Sequence, residues 1–337
     1  VLSGRIAAVK AILCTEYGPP DVLALVDVPP PSPPGPDEVV VSVKAASVNF
    51  PDVLIIQNKY QFKPPLPFTP GSEFAGVVKA VGERVTTVRP GDRVMAFTIY
   101  GAFAEEVKVD AARLLPIPAR MDDTTAAAFL VAYGTSAHAL ADRGDLKAGE
   151  TLLVLGAAGG VGLAAIEIGK ALGARVIACA STEEKLAVCR THGADETINY
   201  ATEPFRDRIG QLTGGRGVDV VYDPVGGSYT ELALRSTAWR GRLLVVGFAG
   251  GEIPRIALNL TLLKGCAIVG VFWGEFTRRE PDRAAASVRQ LASWHGEGKL
   301  KPHVSATLPL ARAADALKRL ATRTIIGKVV LTVEPSR

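Results

Sequence analysis

Four glycines, Gly156, Gly159, Gly160 and Gly162, follow a short apolar run, Leu152–Leu155. They precede an amphipathic pattern with Leu163, Ile166, Ala171 and Leu172 on one side. Strand, glycine turn and helix in that order make an anion site. Amides at a helix N-terminus point outward, and the helix dipole favours negative charge there. Glycine lets the backbone around Ala158 and Val161 approach a pyrophosphate, and the last glycine lets the helix pack close to the strand. The spacing is Ala157-x-Gly159-x-x-Gly162, so an alanine stands where G-x-G-x-x-G has its first glycine. Without a ligand the same pattern is simply a tight turn. About twenty residues beyond such a turn, NAD sites carry an acid for the ribose hydroxyls. Here the second strand-like run ends Cys179-Ala180-Ser181-Thr182, with no acid. Ser181 leaves room for a 2′-phosphate, and Lys185 stands one turn into the next helix as a point charge. The pattern predicts NADPH rather than NADH, although Lys185 taken alone is equally a solvated helix lysine.

These residues need a scaffold, and the surrounding chain supplies one. Strand-like runs recur at Thr151–Leu155, Arg175–Ala180, Glu196–Asn199, Val218–Tyr222, Arg242–Gly247 and Cys266–Phe272. Helical patterns lie between them, at Val161–Leu172, Glu183–His192, Glu203–Leu212, Ser228–Ala238 and, more briefly, Leu258–Lys264. Six strands alternating with helices predict an α/β fold with a parallel, doubly wound sheet. Ligands bind such sheets at the carboxyl ends of the strands. Residues 5–110 differ. They are β-rich, with runs at Ile6–Leu13, Val39–Val48, Phe74–Val81, Arg93–Phe97 and Ala102–Val109. The stretch Pro29–Pro36 holds six prolines, which excludes helix and central strand and predicts a stiff extended loop. Helical patterns at Thr124–Leu130, Tyr133–Asp142, Glu280–Gly296 and Ala311–Leu320 complete the chain, with a closing strand at Ile326–Leu331.

Composition narrows the classes further. A chain of 337 residues suggests about two domains. The net charge of +4 comes without a Lys/Arg run, so nucleic-acid binding is not indicated. Cys14, Cys179, Cys189 and Cys266 are far apart, which argues against a disulfide framework or a zinc ribbon. No signal-peptide pattern or run of eighteen apolar residues occurs, and the expected setting is soluble, reducing and cytoplasmic.

Ser47-Val48-Asn49-Phe50-Pro51-Asp52, then Pro70-Gly71-Ser72-Glu73-Phe74-Ala75-Gly76, Val81-Gly82-Glu83 and Pro90-Gly91-Asp92-Arg93-Val94 follow in order. With the glycine turn, they make nearly the whole chain resemble the medium-chain dehydrogenase/reductase superfamily, and within it the zinc-free quinone oxidoreductase branch, the zeta-crystallin type. The resemblance implies a GroES-like β-rich catalytic domain over 1–127, completed by 275–337, and a Rossmann domain over 128–274. It also implies no metal. In the zinc-dependent alcohol dehydrogenases a Cys stands at the place of Asn49 and a His at the place of Ser72, and a catalytic zinc needs three protein ligands. Glu73 then reads as a hydrogen-bonding residue that fixes its loop.

Carried over residue by residue, the resemblance has Ser181, Lys185 and Tyr200 hold the 2′-phosphate of NADPH. Asn49, Thr135, Val225, Phe248, Phe272 and Lys328 are then expected around the nicotinamide. Thr135 could equally cap a helix, and Phe248 could equally be core. Tyr60, beside Asn49, is the candidate proton donor or orienter, since a phenol can donate, or else it only walls the site. Asp52 reads as fixing the loop. The implied function is hydride transfer from NADPH to a quinone without zinc, in a cleft between the domains. The alternatives are reduction of an alkenal or enoyl-thioester C=C bond, and a non-catalytic NADPH-binding role of an RNA-associated or structural kind. The apolar edge Ala267–Phe272 implies a homodimer, because an exposed sheet edge is a liability unless covered.

Overall fold

The computed structural model describes residues 8–334, and Ile6 and Ala7 of the first expected strand lie outside the described residues. The chain divides into two compact units. One comprises Val1–Val131 with Val304–Arg337, the other Ala132–His303.

The first unit opens with an antiparallel hairpin, β1 (Val9–Cys14) and β2 (Leu23–Val28). After the irregular proline-rich stretch comes β3 (Glu38–Ser47), whose Val39, Val40, Val41 and Val43 are all buried. β-Branched residues suit a pleated surface packed on a core. A short helix, α1 (Phe50–Ile56), follows. The strands β4 (Glu73–Val81), β5 (Arg93–Phe97), β6 (Glu106–Asp110) and β7 (Leu114–Pro116), and the short helix α2 (Asp123–Ala127), complete this part.

Helix α3 (Leu130–Ala137) leads into the second unit. There β8 (Thr151–Val154), α4 (Gly160–Ala171), β9 (Arg175–Ala180), α5 (Glu183–Thr191), β10 (Glu196–Asn199), α6 (Phe205–Thr213), β11 (Val218–Asp223), α7 (Ser228–Arg235), β12 (Thr237–Val245), α8 (Asn259–Lys264) and β13 (Ala267–Gly270) alternate. All six strands pair in parallel, in the order β10-β9-β8-β11-β12-β13. The expected doubly wound sheet is therefore present, with β8, which feeds the glycine turn, in its middle. Two of the boundary differences from expectation stand out. β12 starts at Thr237, so α7 ends at Arg235. β13 stops at Gly270, two residues short of Phe272.

Helices α9 (Trp273–Arg279) and α10 (Pro281–Gly296) follow; the resemblance assigns 275–337 to the first domain, but residues 275–303 lie in the second unit. The packing explains this. The Trp273 ring lies where a side chain at Gly134 would sit, within 2.6 Å of an added Cβ. Phe276 stacks on His138 at 4.1 Å between ring centroids. The chain then returns to the first unit as β14 (Val304–Pro309), α11 (Ala313–Ala321) and β15 (Lys328–Thr332). β15 runs antiparallel to the end of β3, pairing Val330 with Ser47, and this brings Lys328 beside the start of α1.

Candidate functional site

In the second unit the glycine turn has the geometry its sequence implies. Gly156 takes φ +55°, a left-handed conformation suited to glycine. A Cβ on Gly162 would fall 2.6 Å from the carbonyl oxygens of both Gly156 and Ala157, so only glycine lets α4 start this close to the turn. The buried Ala157 donates its N–H to the Cys179 carbonyl at 2.9 Å, which ties the turn to β9. Gly159 is the N-cap of α4, with Gly160, Val161 and Gly162 in its first turn and Ala158 buried in the bend before it. Ser181 follows directly on β9. Thr182 caps α5, its hydroxyl accepting from the Lys185 N–H at 3.3 Å. Tyr200 follows β10, where its ring lies 4.6 Å from that of Tyr229, and its carbonyl accepts from the Tyr229 hydroxyl. These groups stand at the carboxyl ends of three adjacent strands and fit a dinucleotide phosphate cradle.

Val225 follows β11 and packs where a side chain on Gly156 would go, 2.7 Å from an added Cβ. Phe248 follows β12 and lines an apolar cavity of about 170 Å³ with Val245, Ile253 and Ile268. Phe272 stands at the start of α9 and is 41% exposed. Thr135 lies inside α3 and is not a cap. Its neighbour Ser136 donates to the Val161 carbonyl and bonds the Tyr222 hydroxyl, each at 2.9 Å, which fixes α3 against α4 and β11.

One supporting residue escaped the sequence reading. Buried Asp223 accepts from the Val225 and Gly226 amides at 2.9 Å and from the Thr230 hydroxyl at 2.6 Å. It closes the turn that carries Val225. An acid at a strand end before Pro224-Val225-Gly226-Gly227 was the available signal.

The first unit gathers a second group. Asn49 precedes α1, and its N–H donates to the Asp52 carboxyl at 2.7 Å. The Lys328 ammonium donates to Asn49 Oδ1 at 2.5 Å and to the Val48 carbonyl at 3.1 Å. Glu73 Oε2 accepts from the Ser47 hydroxyl at 2.7 Å and from Asn49 Nδ2 at 3.2 Å, with Lys328 Nζ 3.6 Å away. Its other oxygen accepts the Val131 amide at 2.9 Å. Ser47, Asn49, Asp52, Ser72, Glu73 and Lys328 are all buried. Burial holds the Lys328 ammonium below its ordinary pKa, against the pull of Glu73 and Asp52. Tyr60, half-buried on the loop after α1, packs on the same core, and burial followed by the Asp52 charge raises its phenol.

This cluster does not fit a metal. Its side chains at the expected ligand positions are Asn49 and Ser72, and an ammonium already sits on Asn49 Oδ1. Divalent zinc selects thiolate, imidazole and carboxylate, and a fixed cation in the same place repels it. Among the described residues no group of three His, Cys, Asp or Glu side chains could hold a metal ion, and no helix is long and apolar enough to cross a membrane.

Comparison with known proteins agrees with this architecture. The alcohol dehydrogenase GroES-like domain family matches residues 35–119, and the zinc-binding dehydrogenase family matches residues 160–291. Quinone oxidoreductase-like protein 2 of Bos taurus is 39% identical over 326 residues, covering 96% of this chain and 93% of that protein. The crystal structure of Escherichia coli quinone oxidoreductase complexed with NADPH superposes with a TM-score of 0.89 at 30% identity, over 96% of this chain and 99% of that one. CurK enoyl reductase superposes with a TM-score of 0.88 at 25% identity, over 97% and 99% of the two chains. The two units are thus a GroES-like domain and a Rossmann-like domain.

Proposed function

This chain belongs to the medium-chain dehydrogenase/reductase superfamily, among its quinone oxidoreductases and quinone oxidoreductase-like proteins, and we propose that it reduces quinones with NADPH and without a metal. The Gly156–Gly162 turn and the start of α4 hold the pyrophosphate. Ser181, Lys185 and Tyr200 hold the 2′-phosphate, and Thr135, Val225 and Phe248 lie toward the nicotinamide. Bound NADPH supplies a hydride, and the fold supplies position and exclusion of water. Asn49 and Lys328 present a fixed polar wall, and Tyr60 gives or orients a proton.

The observation that carries this reading is the Lys328 ammonium seated on Asn49 Oδ1 at 2.5 Å. The place where a Lewis acid would polarise an alcohol or carbonyl is filled by a lysine. Acceptors that need little such help, quinones first, are favoured. A second reading, reduction of an activated C=C bond, is favoured by the likeness to an enoyl reductase. Oxidation of NADPH by the EDTA-treated protein is followed with benzoquinone, phenanthrenequinone, an alkenal and an enoyl thioester in parallel. Turnover with the quinones is expected. Turnover confined to the C=C substrates replaces the first reading by the second.

The same reading makes the protein a homodimer through β13. That strand ends the sheet, with Ile268 38% exposed, and the exposed Trp239, Leu258, Leu262 and Leu263 lie on β12 and around α8. An uncovered apolar edge of this kind calls for a partner. Sedimentation at micromolar protein is expected to give the dimer mass, and a monomer alone refutes the assignment.

A further inference from the structure

Tyr200 stands just past the end of β10, and its main chain is held from two sides. β10 is an edge strand of the sheet and stops at Asn199. The turn after it is closed on itself. The Asn199 N–H donates to Glu203 Oε1 at 2.7 Å, the Glu203 N–H donates to the Asn199 carbonyl at 2.8 Å, and Arg208 Nε donates to Glu203 Oε2 at 2.7 Å. The Tyr200 N–H donates to the Ala180 carbonyl at 3.2 Å, which sets Tyr200 beside Ser181 at the end of β9. The Tyr200 carbonyl accepts the Tyr229 hydroxyl at 3.0 Å. A backbone carbonyl packed on a core needs a partner, and here a side chain from another element supplies it. The same side chain also contacts the Tyr200 ring, 4.6 Å between centroids and tilted by 39°. Phe205 meets the Tyr229 ring edge-on at 5.7 Å. Such aromatic pairs add specific geometry to plain burial. Tyr229 is itself fixed. It lies in the first turn of α7 beside Thr230, whose hydroxyl donates to the buried Asp223 at 2.6 Å. Asp223 thus holds the start of α7, and Tyr229 carries that order on to Tyr200.

We propose that Tyr229 is a positioning residue for cofactor choice: by clamping the main chain and ring of Tyr200, it aims the Tyr200 hydroxyl at the 2′-phosphate and so sets the preference for NADPH over NADH. The inference rests on the reading above in which Ser181, Lys185 and Tyr200 hold that phosphate. Tyr229 acts through Tyr200 and not on the phosphate itself. The 2′-phosphate is the one group by which the two cofactors differ. A residue whose effect ends there changes the binding of NADPH and leaves that of NADH alone. A residue that only supports the fold weakens both.

The test measures the dissociation constants of NADPH and NADH, by nicotinamide fluorescence, for the wild type, Tyr229→Phe, Tyr200→Phe and the double variant. Tyr229→Phe keeps the ring and removes only the hydroxyl. It is expected to weaken NADPH by roughly 2- to 10-fold, the worth of one hydrogen bond, with NADH unchanged. Tyr200→Phe removes the phosphate contact itself and is expected to weaken NADPH by at least as much, again with NADH unchanged. In the double variant the loss is expected to equal that of Tyr200→Phe alone, because no Tyr200 hydroxyl remains to be aimed. Equal weakening of NADPH and NADH by Tyr229→Phe overturns the proposal, as does a loss that simply adds to that of Tyr200→Phe. A selective loss of NADPH in Tyr200→Phe with none in Tyr229→Phe overturns the proposal and leaves the phosphate reading intact. If Tyr200→Phe leaves the ratio of the two constants unchanged, the phosphate reading of Tyr200 falls and the proposal falls with it.

Discussion

Each unit buries a carboxyl group on a helix, and the two are treated in opposite ways. In the second unit Glu167, on α4, has every oxygen engaged. Its Oε2 accepts from the Tyr133 hydroxyl at 2.7 Å and the Lys301 amide at 2.9 Å, and its Oε1 lies 2.7 Å from His192 Nδ1. One side chain thereby joins α3, α4, the end of α5 and the segment after α10. His303 lies edge-on to His192, 5.4 Å between ring centroids. In the first unit Asp52 is at least as buried, 1% against 5% exposed, yet its Oδ1 has no hydrogen-bond partner among the described residues. Buried polar groups that are fully satisfied rigidify a structure, whereas a half-satisfied one persists at an energetic cost. The contrast separates a carboxyl group that is fully satisfied and joins several elements from one whose neutral form burial favours.

The largest expected effect lies on the satisfied side. Glu167→Ala removes at once the acceptor that Tyr133 and the Lys301 amide use and the partner of His192. Removing one partner from a buried charge network costs about 3–5 kcal/mol, read as a fall in the urea midpoint of unfolding. Burial, then Glu167, holds the Tyr133 phenol well above its ordinary pKa, and its hydroxyl therefore stays a donor in want of an acceptor. Glu167→Gln keeps one acceptor oxygen and loses the charge, and a smaller fall of about 1–2 kcal/mol is expected. A Glu167→Ala protein as stable as wild type breaks the comparison, because Glu167 would then hold nothing together.

How much of this was legible in the sequence follows from the range of the interactions. The glycine turn and the six parallel strands are local patterns, written in apolar runs and in glycine positions. Asn49 and Asp52 are three residues apart, and their link is a helix-start signal. Lys328 bonds Asn49 across 279 positions, and Glu167 meets Lys301 across 134. No local spacing encodes such pairs. They exist because β15 returns beside β3 and because α4 faces the end of the second unit. Glu167 within the apolar face of α4 is the one visible trace of this network in the sequence. β2 and β14 were missed for another reason. Their burial alternates weakly and neither contributes a fully buried residue, so the periodicity that marks a core strand is faint. The helix expected over Glu280–Gly296 matches α10, which Pro281 opens, but α9 before it was not anticipated.

The smallest expected effect lies on the unsatisfied side, and its sign sharpens the comparison. The fold raises the Asp52 carboxyl from the ordinary 3.8 to about 7, so in that window the folded chain binds a proton that the unfolded chain has released. Stability therefore falls as pH rises from the unfolded value through the folded one. Asp52→Asn has no proton to lose and escapes this decline. Near pH 3 the two proteins should differ little in urea midpoint, because Asp52 is neutral in the fold and largely protonated in the unfolded chain. As pH rises toward 7 and beyond, the Asp52→Asn protein should become the more stable of the two. The same series on Glu167→Gln should show it less stable than wild type near neutral pH, where Asp52→Asn shows the reverse. If Asp52→Asn instead tracks wild type at every pH, the Asp52 carboxyl is satisfied in solution as Glu167 is, and the two units no longer differ in the way their geometry indicates.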